Sequence, residues 1–197
     1  MDVAIDGRRD GEAAPGRLRL VQRFVNTVDV EHGHEDLTEP RRLKELLVEL
    51  ALLDARAAIG ADVLLRALEL REALRNLALA NNGGKVASAA AAVLEEAASR
   101  GRLVVRFDRG VPSLEPASRN ADGALADLVG VVYTAIADGT WSRLKACRRE
   151  VCGRLFYDRS RNRSAVWCQM AVCGNRVKTR AYRARRSEGR QERSGRP

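Results

Sequence analysis

The chain's four cysteines, Cys147, Cys152, Cys168 and Cys173, all fall within 27 residues in the pattern C-x4-C-x15-C-x4-C, and none occurs before position 147. Two close pairs separated by a longer insert is the arrangement of a structural zinc site, in which each pair supplies one edge of a tetrahedron. The insert suits that role. LFYD and AVWC can form two short strands, with Ser160 to Ser164 turning between them to return the second pair onto the first. The alternatives are two disulfides, four free thiols or an iron–sulfur cluster. Disulfides require an oxidising compartment, free thiols crowded among arginines would be reactive without purpose, and nothing else in the chain suggests redox work. One structural Zn²⁺ is the expected cofactor.

Beyond Cys173, Gly174 permits an unusual backbone angle and Asn175 is a good N-cap. RVKTRAYRARR then reads as a helix with a narrow apolar stripe of Val177, Ala181 and Ala184. So small a unit buries too little apolar surface to fold alone, and zinc can supply the missing stability, about 10–16 kcal/mol apparent in zinc-finger peptides. The expected module is treble-clef-like: knuckle, hairpin, basic helix.

Charge is divided unevenly. The whole chain carries +9, but residues 141–197 hold 17 Lys/Arg against 4 Asp/Glu, whereas the rest is net acidic. A basic end on a non-basic body points to a polyanionic partner. Arg148, Arg149, Arg154 and Arg176 are near enough to the cysteines to offset the −2 charge of a Zn(Cys)4 centre. Arg159, Arg161 and Arg163 on the turn, and Arg176, Lys178, Arg180, Arg183, Arg185 and Arg186 on the helix, have the distribution of phosphate contacts. Six such contacts to double-stranded DNA would give a slope of about −5 in log K against log salt. RNA, an acidic protein surface or a merely solvated face are the competing readings.

The elements that position these groups are mostly helical. With 45% hydrophobic and 4% aromatic residues, rich in Ala and Leu, the composition favours helix over strand. Residues 1–15 and 188–197 read as disordered tails, the second of them basic. Helices are expected over 18–30, from Thr38 as cap through Pro40 to before Gly60, over 61–80 and 86–99, and over 124–138. RLVVRFDRGVPSLEP reads as a hairpin turning at Asp108-Arg109-Gly110. The fold class is therefore mainly α with one small β hairpin in the body, followed by the zinc module, with the boundary near Gly139-Thr140. The amino-terminal run lacks the apolar core of a signal peptide, and no stretch approaches the ~20 apolar residues of a membrane span. A soluble cytoplasmic protein is expected, with no membrane partner.

The run from Trp141 to Arg186, with WSRLKAC, CGRLFYDRSRNRSAVWC and above all CGNR at 173–176, resembles the CGNR zinc finger of bacteria. RFVNTVD at 23–29 and LRALELREALRNL at 65–77 resemble parts of the ABATE domain that usually precedes it. The resemblance covers nearly the whole chain after residue 16, with the body at 16–139 and the finger at 140–187. It implies a stress-related transcription regulator whose finger binds DNA through a centre ligated by Cys147, Cys152, Cys168 and Cys173, and whose body senses something. Asn26, Thr27 and Arg71 are polar positions in apolar helices that could line an effector pocket, or simply be buried hydrogen-bonding groups. His32 and His34 beside Glu31, Glu35 and Asp36 could form a second metal site, or stand exposed in a loop. The chain has no Gly-rich phosphate loop and no Ser/His/Asp set, and four cysteines close the coordination shell that a catalytic zinc would leave open. It does not read as an enzyme.

Overall fold

The computed structural model describes residues 13–149 and 151–180. The body is built on α3 (Ala61–Ala80), against which α1 (Leu18–Val25), α2 (Pro40–Glu49), α4 (Ser88–Arg100) and α5 (Ala121–Ala137) pack. Between α1 and α2 lies a minute hairpin, β1 (Val28–Asp29) with β2 (His34–Glu35). Between α4 and α5 lies a longer one, β3 (Leu103–Asp108) with β4 (Val111–Pro116). The finger opens with β5 (Leu144–Ala146) and β6 (Leu155–Tyr157), also antiparallel. No described helix is long and apolar enough to cross a membrane.

Leucines spaced to fall on one side of each helix build the core: Phe24, Leu43, Leu47, Leu70, Leu74 and Leu128 are all less than 2% exposed. Arg109 and Gly110 both take positive φ (48° and 84°), as a two-residue primed turn requires, so DRG closes the β3–β4 hairpin as its sequence suggests.

Three expectations about local structure need correction. First, α1 stops at Val25 and not at Val30, because Asn26 and Thr27 leave the helix and Val28 enters β1. Second, α2 ends at Glu49, well short of Gly60; Leu52 and Leu53 are buried from a loop instead. The residue before Pro40 in the cap position is Glu39, in extended conformation and without a side-chain capping bond, so Thr38 is not the cap. Third, Ala14 is buried and its N–H donates to Gln22 Oε1 (2.7 Å), so this part of the expected amino-terminal tail is packed.

The core does not break at Gly139-Thr140. Trp141, Leu144, Ala146, Leu155 and Tyr157 belong to the same buried cluster as α1, α3 and α5. A second, smaller cluster comprises Cys147, Phe156 and Cys173, with Cys152, Ala165, Trp167 and Cys168 packed against it. One face of β5–β6 thus completes the body, while the finger keeps a separate core around the thiols.

Candidate metal centre and nucleic-acid face

The first cysteine pair sits on a tight turn between β5 and β6. Cys147 N–H donates to Arg154 O (2.9 Å), and Cys152 N–H donates to Arg149 O (2.8 Å). Of the second pair, Cys168 precedes a π-helical turn, Met170–Gly174, and Cys173 lies within it, its N–H donating to Gln169 O (2.9 Å). These turns bring all four Sγ atoms within 4.8 Å of one another. A tetrahedral zinc with Zn–S bonds of about 2.3 Å requires sulfurs about 3.8 Å apart. Cys152 and Cys168 are at 3.7 Å, Cys168 and Cys173 at 3.6 Å.

Hydrogen bonds from the Cys152 and Cys168 thiols push Cys147 down to about 4, and its thiolate in turn pushes Cys152 and Cys168 up. Four thiolates in contact repel one another strongly, and a dication between them offsets half of their charge. The donor set therefore fits Zn²⁺, and it is the one such cluster of three or more potential ligands among the described residues. His32 and His34 instead pair with Asp29 (2.9 Å) and Asp36 (2.7 Å).

The strands flanking this centre are not those read from the sequence. LFYD pairs with Leu144–Ala146 and not with AVWC. The 164–168 segment returns beside β5, with Arg148 N–H donating to Val166 O (3.3 Å) and Lys145 Nζ to Ala165 O (3.1 Å). Holding the intervening turn is a buried ion pair that sequence reasoning missed. Lys145 Nζ donates to Asp158 Oδ2 (2.7 Å), and Asp158 also accepts from Ser160 N and Ala165 N. Burial opposes ionisation of Asp158, but Lys145 and Ser160 outweigh it and push the carboxyl down to about 2.

The glycine of CGNR is explained by space and not by backbone angle, since its φ is not positive. A Cβ at Gly174 would lie 2.3 Å from Met170 Sδ and 3.0 Å from Trp167 Cδ1. Nor is Asn175 an N-cap. It is itself helical, its amide donates to Ala171 O (3.2 Å), and residues 175–180 continue the π turn directly into a helix.

Of the expected phosphate-binding cations, Arg159, Arg161, Arg163, Arg176, Lys178 and Arg180 are exposed; Arg183, Arg185 and Arg186 lie outside the described residues, as do Ala181 and Ala184. Arg159 to Arg163 occupy the turn beyond Tyr157, at the end of the β5–β6 pair away from the cysteines. Arg176 to Arg180 follow Cys173. The two groups are therefore carried by different elements of the finger, a turn and a helix. Arg176 is engaged by the body. Glu31, at the tip of β1–β2, accepts from Arg176, and it takes Arg149 in a bidentate pair (2.6 and 2.7 Å). Arg149 also lies 3.8 Å from Cys173 Sγ, which fits its expected role beside the thiolates. Hydrogen bonds from Arg149, with the charges of Arg149 and Arg176, hold the Glu31 carboxyl below its ordinary range.

Asn26, Thr27 and Arg71 are drawn into this joint. Asn26 brackets β6, donating to Leu155 O (3.0 Å) and accepting from Leu155 N (2.8 Å). Arg71, 5% exposed, forms a bidentate pair with Glu35 (2.6 and 2.7 Å) and donates to Thr27 Oγ1 (3.1 Å). That fixes the root of the hairpin whose tip carries Glu31. Asn26 and Thr27 do border an open cleft of about 790 Å³, but Arg71 does not line it.

Two family models match the chain. Residues 18–139 match the ABATE family, described as "Putative stress-induced transcription regulator", and residues 143–186 match the CGNR zinc finger. The chain belongs to the ABATE family and carries a CGNR zinc finger at its carboxyl end.

Proposed function

We propose that this protein is a DNA-binding transcription regulator. One structural zinc on Cys147, Cys152, Cys168 and Cys173 fixes the finger, and cations on its turn and its helix contact the phosphates of duplex DNA. The observation that carries this reading is the junction at Gly174. The last cysteine leads without a break into a helix whose Arg176, Lys178 and Arg180 side chains are exposed, so metal binding directly sets the course of the basic helix. The guanidinium-rich 159–163 turn, fixed by the buried Lys145–Asp158 pair, supplies a second point of contact and hence orientation on a polyanion.

The test is binding of the zinc-loaded protein to duplex DNA, structured RNA and heparin in parallel. Leaving aside Arg176, which Glu31 engages, five exposed described cations predict a slope of roughly −4.5 in log K against log salt. Duplex preference that survives heparin competition supports the proposal. Equal affinity for all three polyanions, or preference for RNA, refutes it. An effector acting on the body would enter the cleft beside Asn26 and Thr27, whose mixed lining of Arg19, Arg42, Glu45 and Leu46 suits a small polar molecule. A thermal-shift screen of small carboxylates and amines, repeated on Asn26→Ala, tests that role.

A further inference from the structure

Glu31 presents a carboxylate to two guanidinium groups of the finger in the manner in which an arginine pair receives a phosphate. Arg149 offers two N–H groups in parallel to the two carboxylate oxygens, and Arg176 adds a third donor to Oε1. A guanidinium fork matches phosphate as well as carboxylate. The site stands beside the zinc centre, at the start of the basic helix. Arg149 is largely buried (14% exposed), so its guanidinium is held in place, while Arg176 is open to solvent (55%). The occupant, by contrast, is lightly held. Glu31 lies in a four-residue loop between strands of two residues each, and its neighbours Val30, His32 and Gly33 are exposed. The hairpin root is anchored separately by Glu35 and Arg71, so the tip can leave without unfolding the body.

We propose that Arg149 and Arg176 form a binding site for one backbone phosphate of duplex DNA, and that Glu31 occupies this site in the free protein, so that DNA binding displaces the hairpin tip. The inference rests on the DNA-binding reading above and adds to it two cations not counted there, Arg149 and Arg176, and a competitor supplied by the body.

The experiment compares wild type with Glu31→Gln, which keeps the shape and removes the charge. Anisotropy of a labelled 20-bp duplex is followed at several salt concentrations, with zinc content and thermal midpoint checked for each protein. Glu31→Gln should bind about tenfold tighter, with a similar salt slope, because the same one phosphate is met in both proteins once the tip has left. In the Glu31→Gln background, Arg176→Gln should cost about tenfold, but less than about twofold when Glu31 is present. A measurement on wild type alone guards against a misfolded variant: amide exchange over residues 30–33 should quicken when duplex is added. Unchanged or slower exchange there, or duplex binding indifferent to Glu31→Gln, overturns the displacement while leaving DNA binding intact. Failure of both proteins to bind duplex overturns the DNA reading and this inference with it. If inorganic phosphate binds Glu31→Gln better than wild type and the duplex does not, the site belongs to free phosphate and the duplex assignment falls.

Discussion

Replacing Asp158 with asparagine removes the one carboxylate facing a buried ammonium group. Lys145 is 4% exposed and Asp158 1%, and all three hydrogens of Nζ are used, on Asp158 Oδ2, Arg163 O (2.5 Å) and Ala165 O. The pull on the carboxyl from an ordinary 3.8 to about 2 corresponds to about 2–3 kcal/mol of stability. Because the folded value is depressed, that contribution is complete above pH 3.8 and is lost as the pH falls through about 2. The substitution costs more than this, since it also strands Lys145 as an uncompensated buried charge. Losses from breaking such pairs run to about 3–5 kcal/mol. Lys145→Met alone should cost a similar amount, but the double variant much less than the sum, with a coupling of about 2–3 kcal/mol. Urea unfolding of the zinc-loaded protein at pH 7 measures it. Tryptophan fluorescence reports both cores, because Trp141 lies in the body cluster and Trp167 against the thiol cluster. A loss under about 1 kcal/mol for Asp158→Asn, or additive single losses, would refute the assignment of this pair as the support of the basic turn.

Gly174→Ala places a methyl group 2.3 Å from Met170 Sδ and 3.0 Å from Trp167 Cδ1, so the exposed Met170 side chain must swing away and the Trp167 contact must give; zinc affinity should fall, by up to about 10-fold in chelator competition. Removing zinc from reduced protein should lower stability by several kcal/mol and change Trp167 emission, while the far-UV signal of α3 and α5 persists; retention of native Trp167 emission would exclude a structural metal. Glu35 is held below its ordinary value: burial alone would raise it, but hydrogen bonds from Arg71 outweigh burial. The hairpin's attachment is therefore complete above pH 4.5 and is lost as the pH falls through the depressed value, which amide exchange of residues 28–35 should follow. Exchange that rises already between pH 7 and 5 would contradict that ion pair.

The metal ligands were legible because ligand type and spacing are local properties, and the turns that bring the pairs together lie within a few residues of each cysteine. The β3–β4 hairpin was legible for the same reason, since DRG states its own turn. The strand partner of LFYD was not. The sequence offers AVWC after a plausible turn, but the observed partner, Leu144–Ala146, is three residues inside a basic run and becomes a strand by burial against α3. The roles of Asn26 and Arg71 were equally hidden. A polar residue in an apolar helix looks the same whether it faces a ligand or a distant backbone, and Asn26 meets Leu155 across 129 positions of chain. Glu31 stood out only as one acid in EHGHED; nothing local distinguishes it from Glu35, which turns inward to Arg71.

The body side chains that enter the finger share a feature that bears on regulation. Asn26 and Gln22 reach Leu155 O, Asn81 reaches Trp141 O and Leu144 O, Asn82 reaches Ala146 O and Val166 O, and Arg75 reaches Gly153 O. Leu144 O, Ala146 O and Leu155 O belong to the finger strands and point away from the two-stranded ladder, whereas Val166 O and Trp141 O also accept from Arg148 N–H and Leu144 N–H. The body therefore completes the hydrogen bonding of the finger as well as covering its apolar face. Zinc fixes the thiol core, but the opposite face of the same strands depends on α1 and α3. A perturbation of those helices consequently reaches the knuckle through hydrogen bonds of fixed length, without an intervening flexible linker. Arg75 makes the link most directly, joining Val25 O at the end of α1 to Gly153 O beside Cys152. The helices of the body and the geometry at the metal centre are in this way parts of one packed structure.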